Sequence, residues 1–170
     1  MNIYNKFINL DIDTSLIGLE KGDKEGGYFC TPKGAKVIGW EGCDGIHYCF
    51  ITGFDDAVFA VNPSSCADIY VYPLAYTFKD FLRLILALKS TTSVEQIILW
   101  DKRQFEEYMI SSDNVVLPEQ QEVLNKIQNE HGLCAMENPF EYVKGVQENF
   151  AYDSLIFTDE YYDVLGLQKP

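Results

Sequence analysis

Cys43, His47 and Cys49 are the closest grouping of residues whose types could do chemistry, spaced C-x3-H-x-C with Asp44 beside them. Cysteine and histidine serve as zinc ligands, and also as the nucleophile and base of cysteine hydrolases. A zinc site needs four ligands converging as a tetrahedron and commonly starts from a C-x2-4-C knuckle, which this chain lacks. His47 and Cys49 sit two apart, so a strand would put them on one face. One reading is therefore a small-molecule or metal-binding enzyme or sensor with a pocket near Cys43, His47 and Cys49, joined by Cys30 or Cys66. The competing reading is that these are buried, reduced thiols among apolar neighbours. For cysteine–histidine catalysis only His47 and His131 could act as base, and neither has a recognisable context. The acid pairs (Asp55 with Asp56, Glu106 with Glu107, Asp159 with Glu160) are adjacent in sequence and point in different directions on a helix or strand. Solvated faces account for them. No phosphate-cradling glycine motif occurs, and the glycine-rich region from Gly18 to Gly45 carries acids that a phosphate site would avoid. The reading from the residues is a non-enzyme with no catalytic residue, no metal and no cofactor.

Charge narrows the partners. The chain has 170 residues and a net charge of −13, and the acids crowd into one half. Residues 1–89 hold 8 basic and 11 acidic side chains, whereas residues 90–170 hold 5 and 15. Such a field repels a phosphate backbone or an anionic membrane surface, so neither nucleic acid nor membrane is expected as a partner. No apolar run exceeds residues 84–88, far short of the ~20 residues of a membrane span. The N-terminus reads M-N-I-Y-N-K-F, without the pattern of a secretory signal, and five cysteines make an odd set without paired spacing. A cytoplasmic protein with reduced thiols is the expectation.

The elements that would position any site follow from periodicity. Residues 1–27 are poorly patterned; Phe7, Ile8, Leu10, Ile12, Leu16, Ile17 and Leu19 could form a short helix or an edge strand, and a partly docked arm is expected. From residue 28 the pattern becomes β. Strands are predicted at 36–41, 46–52, 57–61 and 68–72, with Asp44-Gly45 a strong hairpin signal because both residues accept positive φ. Both faces of 46–52 are apolar, which marks a central strand. Short connections imply an antiparallel meander over about residues 28–72.

The stretch 72–89, Y-P-L-A-Y-T-F-K-D-F-L-R-L-I-L-A-L-K, reads as a strand end, a turn at Pro73 and then a helix that is apolar on nearly every side. Thr77 with Asp80 resembles a capping box, and Ser93 with Gln96 predicts another helix start. Helices are further expected over 119–131, with Pro118 at its first position and Gly132 as its stop, and over 139–150; residues 101–109 continue the preceding segment or begin another helix, and 158–167 read as one short amphipathic turn or helix. Sheet first and helices after is the α+β order in a single domain covering residues 1–170. Its expected core scaffold is Trp40, Phe50, Phe78, Phe81, Leu82 and Ile85.

What remains is an acidic surface studded with aromatics near the C-terminus. Tyr142, Glu148, Tyr152, Asp159, Glu160, Tyr161 and Tyr162 are its candidate protein-interface residues. Aromatics anchor interfaces, and acids steer a basic partner onto them. The plainer reading is that the aromatics dock the tail, residues 151–170, on the body.

The order of parts over residues 36–90 resembles the SUKH superfamily, which includes the yeast glucan-synthesis and cell-wall assembly regulator and many bacterial immunity proteins. The shared features are a Trp-bearing strand (V-I-G-W-E), a hairpin (D-G-I-H-Y-C-F-I), a further strand (A-V-F-A-V) and the aromatic-Pro-small entry into T-F-K-D-F-L. The ending T-D-E-Y-Y-D-V-L-G-L is similar to those of one bacterial branch. The family's leading helix, with its L-P-x-x-Y/F and N-G-G elements, is absent or reduced to Gly26-Gly27. The resemblance implies a non-enzymatic immunity protein that neutralises a cognate toxin domain, such as a basic nuclease. A regulatory scaffold of the glucan-synthesis-regulator type is the alternative within the same family.

Overall fold

The strand that is apolar on both faces lies at the centre of the sheet. The computed structural model describes residues 2–22, 27–66 and 69–169. Among these residues five strands, β1 (Glu20–Lys21), β2 (Ala35–Trp40), β3 (His47–Ile51), β4 (Val58–Val61) and β5 (Val71–Ala75), pair in chain order. Every pairing is antiparallel, which makes the expected meander. Among the described residues seven α-helices accompany it: α1 (Ile3–Ile8) before the sheet, then α2 (Phe78–Leu88), α3 (Thr91–Gln96), α4 (Lys102–Ile110), α5 (Pro118–His131), α6 (Pro139–Glu148) and α7 (Asp159–Leu165). The architecture is α+β.

Alternation divides the sheet residues between two cores. Ile38, Tyr48, Val58, Ala60, Tyr72 and Leu74 face the larger one, where Phe78, Phe81, Leu82 and Ile85 of α2 are buried with them. Cys49, Ile51, Phe59, Val61 and Val71 face a smaller core together with Cys30. Of the remaining scaffold residues, Trp40 is buried and Phe50 is half-buried against the larger core.

The hairpin between β2 and β3 closes as its residues dictate. Ile46 N donates to Cys43 O at 3.2 Å, with Asp44 at φ 52° and Gly45 at φ 71°. A Cβ at Gly45 would also meet the Tyr28 ring at 2.4 Å. Gly45→Ala is therefore expected to cost about 1–3 kcal/mol, read from urea unfolding. A change within ~0.5 kcal/mol would show that neither the turn nor the ring contact is tight.

Three expectations need correction. Pro73 makes no turn: it pairs opposite Phe59 inside β5, which runs on to Ala75. β5 is the last strand of the sheet, and an edge position tolerates a residue with no N–H. The strand read at 68–72 is thus displaced toward the C-terminus, and its first residue, Asp68, lies outside the described residues. Ser93 is not a cap either. Ser90 is, since its side chain accepts from Ser93 N, and α3 starts at Thr91. Finally, the N-terminal segment is more than a partly docked arm. It forms both a short helix and an edge strand, and Tyr4, Phe7, Ile17 and Leu19 are buried in the larger core. The Gly26 of the Gly26-Gly27 pair lies outside the described residues.

The other helix signals act locally as their chemistry requires. Thr77 Oγ1 accepts from Asp80 N at 3.1 Å and opens α2. Asp101 and Gln104 form a reciprocal capping box at α4. Pro118 begins α5, and Gly132 at φ 61° ends it.

Candidate functional site

The Cys43, His47, Cys49 grouping does not converge. Cys43 is exposed in the hairpin turn, while Cys49 is buried with Cys30 in the smaller core. Burial pushes the Cys49 thiol up to about 12 and Cys30 to about 11, so both stay protonated and poor as nucleophiles or ligands. The His47 ring spans two contacts, Nδ1 to Gly45 O at 2.8 Å and Nε2 to Thr31 Oγ1 at 3.1 Å. A carbonyl only accepts, so Nδ1 carries the proton and the lone pair on Nε2 faces the Thr31 hydroxyl. Thr31 Oγ1 in turn accepts from Tyr28 N at 2.8 Å. His47 therefore pins the segment around residues 28–31 to the hairpin, and burial holds it below the usual imidazole range. Among the described residues, no three His, Cys, Asp or Glu side chains are grouped to hold a metal ion.

The C-terminal aromatics meet on the sheet face opposite α2. The segment after α6 crosses the smaller core, where Phe150, Leu155, Phe157 and Tyr161 pack against it. Lys33 N donates to Ile156 O at 2.8 Å and ties this segment to the chain before β2. Phe157 and Tyr161 stack at 4.0 Å between ring centres, and Tyr70 and Phe29 lie edge to face at 5.4 Å beside them. Tyr152 stands perpendicular to Phe150 at 5.0 Å. Much of the aromatic content is thus packed against the smaller core.

The docking leaves an open surface. Two hollows of about 140 and 430 Å³ both have Tyr70 and Tyr161 in their walls. Tyr152, Asp153 and Phe157 help line the smaller, and Leu165 and Leu167 line the larger. Asp159 and Glu160 are exposed in the first turn of α7, where negative charge also favours the helix. Lys169 reaches Asp159 at 3.3 Å and Asp163 at 3.0 Å, both exposed pairs of the kind worth roughly 0–1 kcal/mol. Tyr161 and Tyr162 are half-buried neighbours at 5.3 Å. The result is an aromatic centre with an acidic margin.

Two of the predicted interface residues are not placed in this group. Tyr142 packs on the larger core, and its hydroxyl accepts from Tyr76 N at 3.0 Å. Glu148 is exposed in the last turn of α6. Phe29, Tyr70 and Leu167 belong to the surface and were not among the predicted residues; Tyr70 precedes β5 by one residue, and no local pattern marks it.

A further set was also missed. Tyr48, fully buried on β3, touches Glu41 and Thr91 O, and Glu95 on α3 lies close enough to raise Glu41 further. Desolvation is the larger cause and takes the Glu41 carboxyl to about 7; it also raises Glu95, which accepts from Asn62 Nδ2 at 2.9 Å. The signal for Glu95 was available: Thr91, Val94, Glu95 and Ile98 follow helical spacing and all are buried.

No helix among the described residues is long and apolar enough to cross a membrane. No family model, no curated protein and no solved structure matches this chain.

Proposed function

We propose that this chain is a non-enzymatic protein-binding module of the SUKH immunity type, which occludes a basic toxin domain with its acidic, tyrosine-lined surface. The observation that carries the reading is the pair of hollows sharing Tyr70 and Tyr161, with Asp153 in one wall and Asp159, Glu160 and Asp163 on the adjoining helix. Tyrosine buries a large rigid area on binding and keeps a polar tip, which suits it as an anchor. A net charge of −13 adds long-range attraction for a basic partner. A nuclease fits that description, because a domain that grips phosphates carries the opposite charge. The motif order at residues 36–90 supports the same assignment.

Co-expression with the toxin domain encoded beside its gene tests the reading. The expected result is co-purification as a complex together with rescue of growth. A neighbouring toxin that is neither bound nor neutralised would overturn it, and binding without rescue would point to a regulatory scaffold instead.

A further inference from the structure

Where the sheet meets α3, Glu95 is buried and the Glu41 carboxyl near it is half-buried. Among the described residues, neither Glu41 nor Glu95 takes part in an ion pair. The Tyr48 hydroxyl is in contact with Glu41 Oε1 and 2.8 Å from the carbonyl oxygen of Thr91. A phenol has one proton to give. A carboxylate and a carbonyl both only accept, so an ionised Glu41 would leave one of these two contacts without a hydrogen. A protonated Glu41 satisfies both: Glu41 donates to Tyr48, and Tyr48 donates to Thr91 O. We propose that the folded chain holds a proton on Glu41 in this chain of hydrogen bonds, and that losing it loosens α3 from the sheet.

The consequences reach past α3. Thr91 Oγ1 donates to Gly18 O at 2.6 Å, so one residue joins the helix, the central strand and the N-terminal segment. The groups facing Glu41 give a released proton no relief. Glu95 approaches from α3 and Tyr48 from β3, while Cys43 and Asp44 occupy the adjoining turn. Tyr72 of β5 faces Glu95, and Glu20 of β1 lies beside Gly42. All are acidic or neutral.

The sign follows from linkage. Unfolded, Glu41 loses its proton near 4.5; folded, it keeps it to about 7. Between those values the folded chain binds more protons, so stability falls as pH rises through that window and levels off above it. A separation of this size weakens folding on the order of a hundredfold between pH 5 and pH 8.

The test is a carboxyl-carbon NMR titration of the full chain, with amide-exchange protection of residues 91–96 and 17–19 measured at pH 5 and pH 8. Glu41 should titrate near 7, well above an exposed glutamate, and protection should drop at pH 8. In Glu41→Gln the amide donates to Tyr48 permanently, so protection should become independent of pH and match or exceed the wild type at pH 8. Glu95→Gln should lower the Glu41 midpoint while keeping the pH dependence. A Glu41 midpoint below 5 overturns the proposal, as does a Glu41→Gln variant that keeps the wild-type slope. The titration of the unaltered chain decides the matter even if the variants fold poorly.

Discussion

Truncating Leu82 or Ile85 to alanine is expected to lower the unfolding free energy by about 2–5 kcal/mol. Both side chains are fully buried on α2, against the sheet face that carries Tyr48, Val58 and Leu74. The cost has two parts, the apolar area lost from the core and the cavity left where the packing fails to collapse. For a chain of this size each kcal/mol moves Tm by roughly 2–4 °C, so melting should fall by several degrees at least. Urea and thermal unfolding of the two variants give the measurement. A loss below about 1 kcal/mol would place α2 at the periphery and contradict the architecture. Ile110→Ala supplies the contrast: that side chain is 88% exposed, and its truncation should stay within about 0.5 kcal/mol.

Reversing Asp159, Glu160 and Asp163 to lysine in one variant should slow association with a basic toxin domain by tenfold to a thousandfold at low salt. Stopped-flow mixing reads the rate directly. The wild-type rate should fall steeply as salt rises, and the variant should show little or inverted dependence. Equal rates for the two chains would remove this surface from the encounter. These positions are chosen because they carry charge and little packing, apart from the exposed pairs to Lys169. Tyr161→Ala is a less clean probe, since the same ring stacks on Phe157 and helps dock the tail. Its loss would change the fold and the surface together.

Most of the meander was legible because its strands are short apolar runs bounded by turn residues with their own chemistry. Asp44 and Gly45 take positive φ for the reason their types suggested, and Val123, Leu124 and Ile127 form the buried stripe of α5. Errors arose where a local signal competed with pairing at longer range. Proline usually stops a strand, yet Pro73 faces Phe59 on an edge strand where its missing N–H costs nothing. Ser93 fits the capping pattern, but Ser90, three residues earlier, holds the Ser93 amide.

The N-terminal segment had no clear period because its apolar residues divide among a helix, a 3₁₀ turn and the irregular stretches between them. Part of the candidate surface was visible as acids and aromatics close together near the C-terminus. Its partners Phe29 and Tyr70 reach it only through folding. The same is true of Glu41 and Glu95: they are far apart in the chain, and tertiary structure alone makes them neighbours.

The proposed function is tested most directly by titrating the purified chain into an activity assay of a basic toxin domain encoded beside its gene, and the absence of any such domain would count against it. Activity should fall to background at one equivalent, and the Asp159/Glu160/Asp163 reversal should need a large excess to do the same. Full toxin activity in the presence of excess wild-type chain would contradict it.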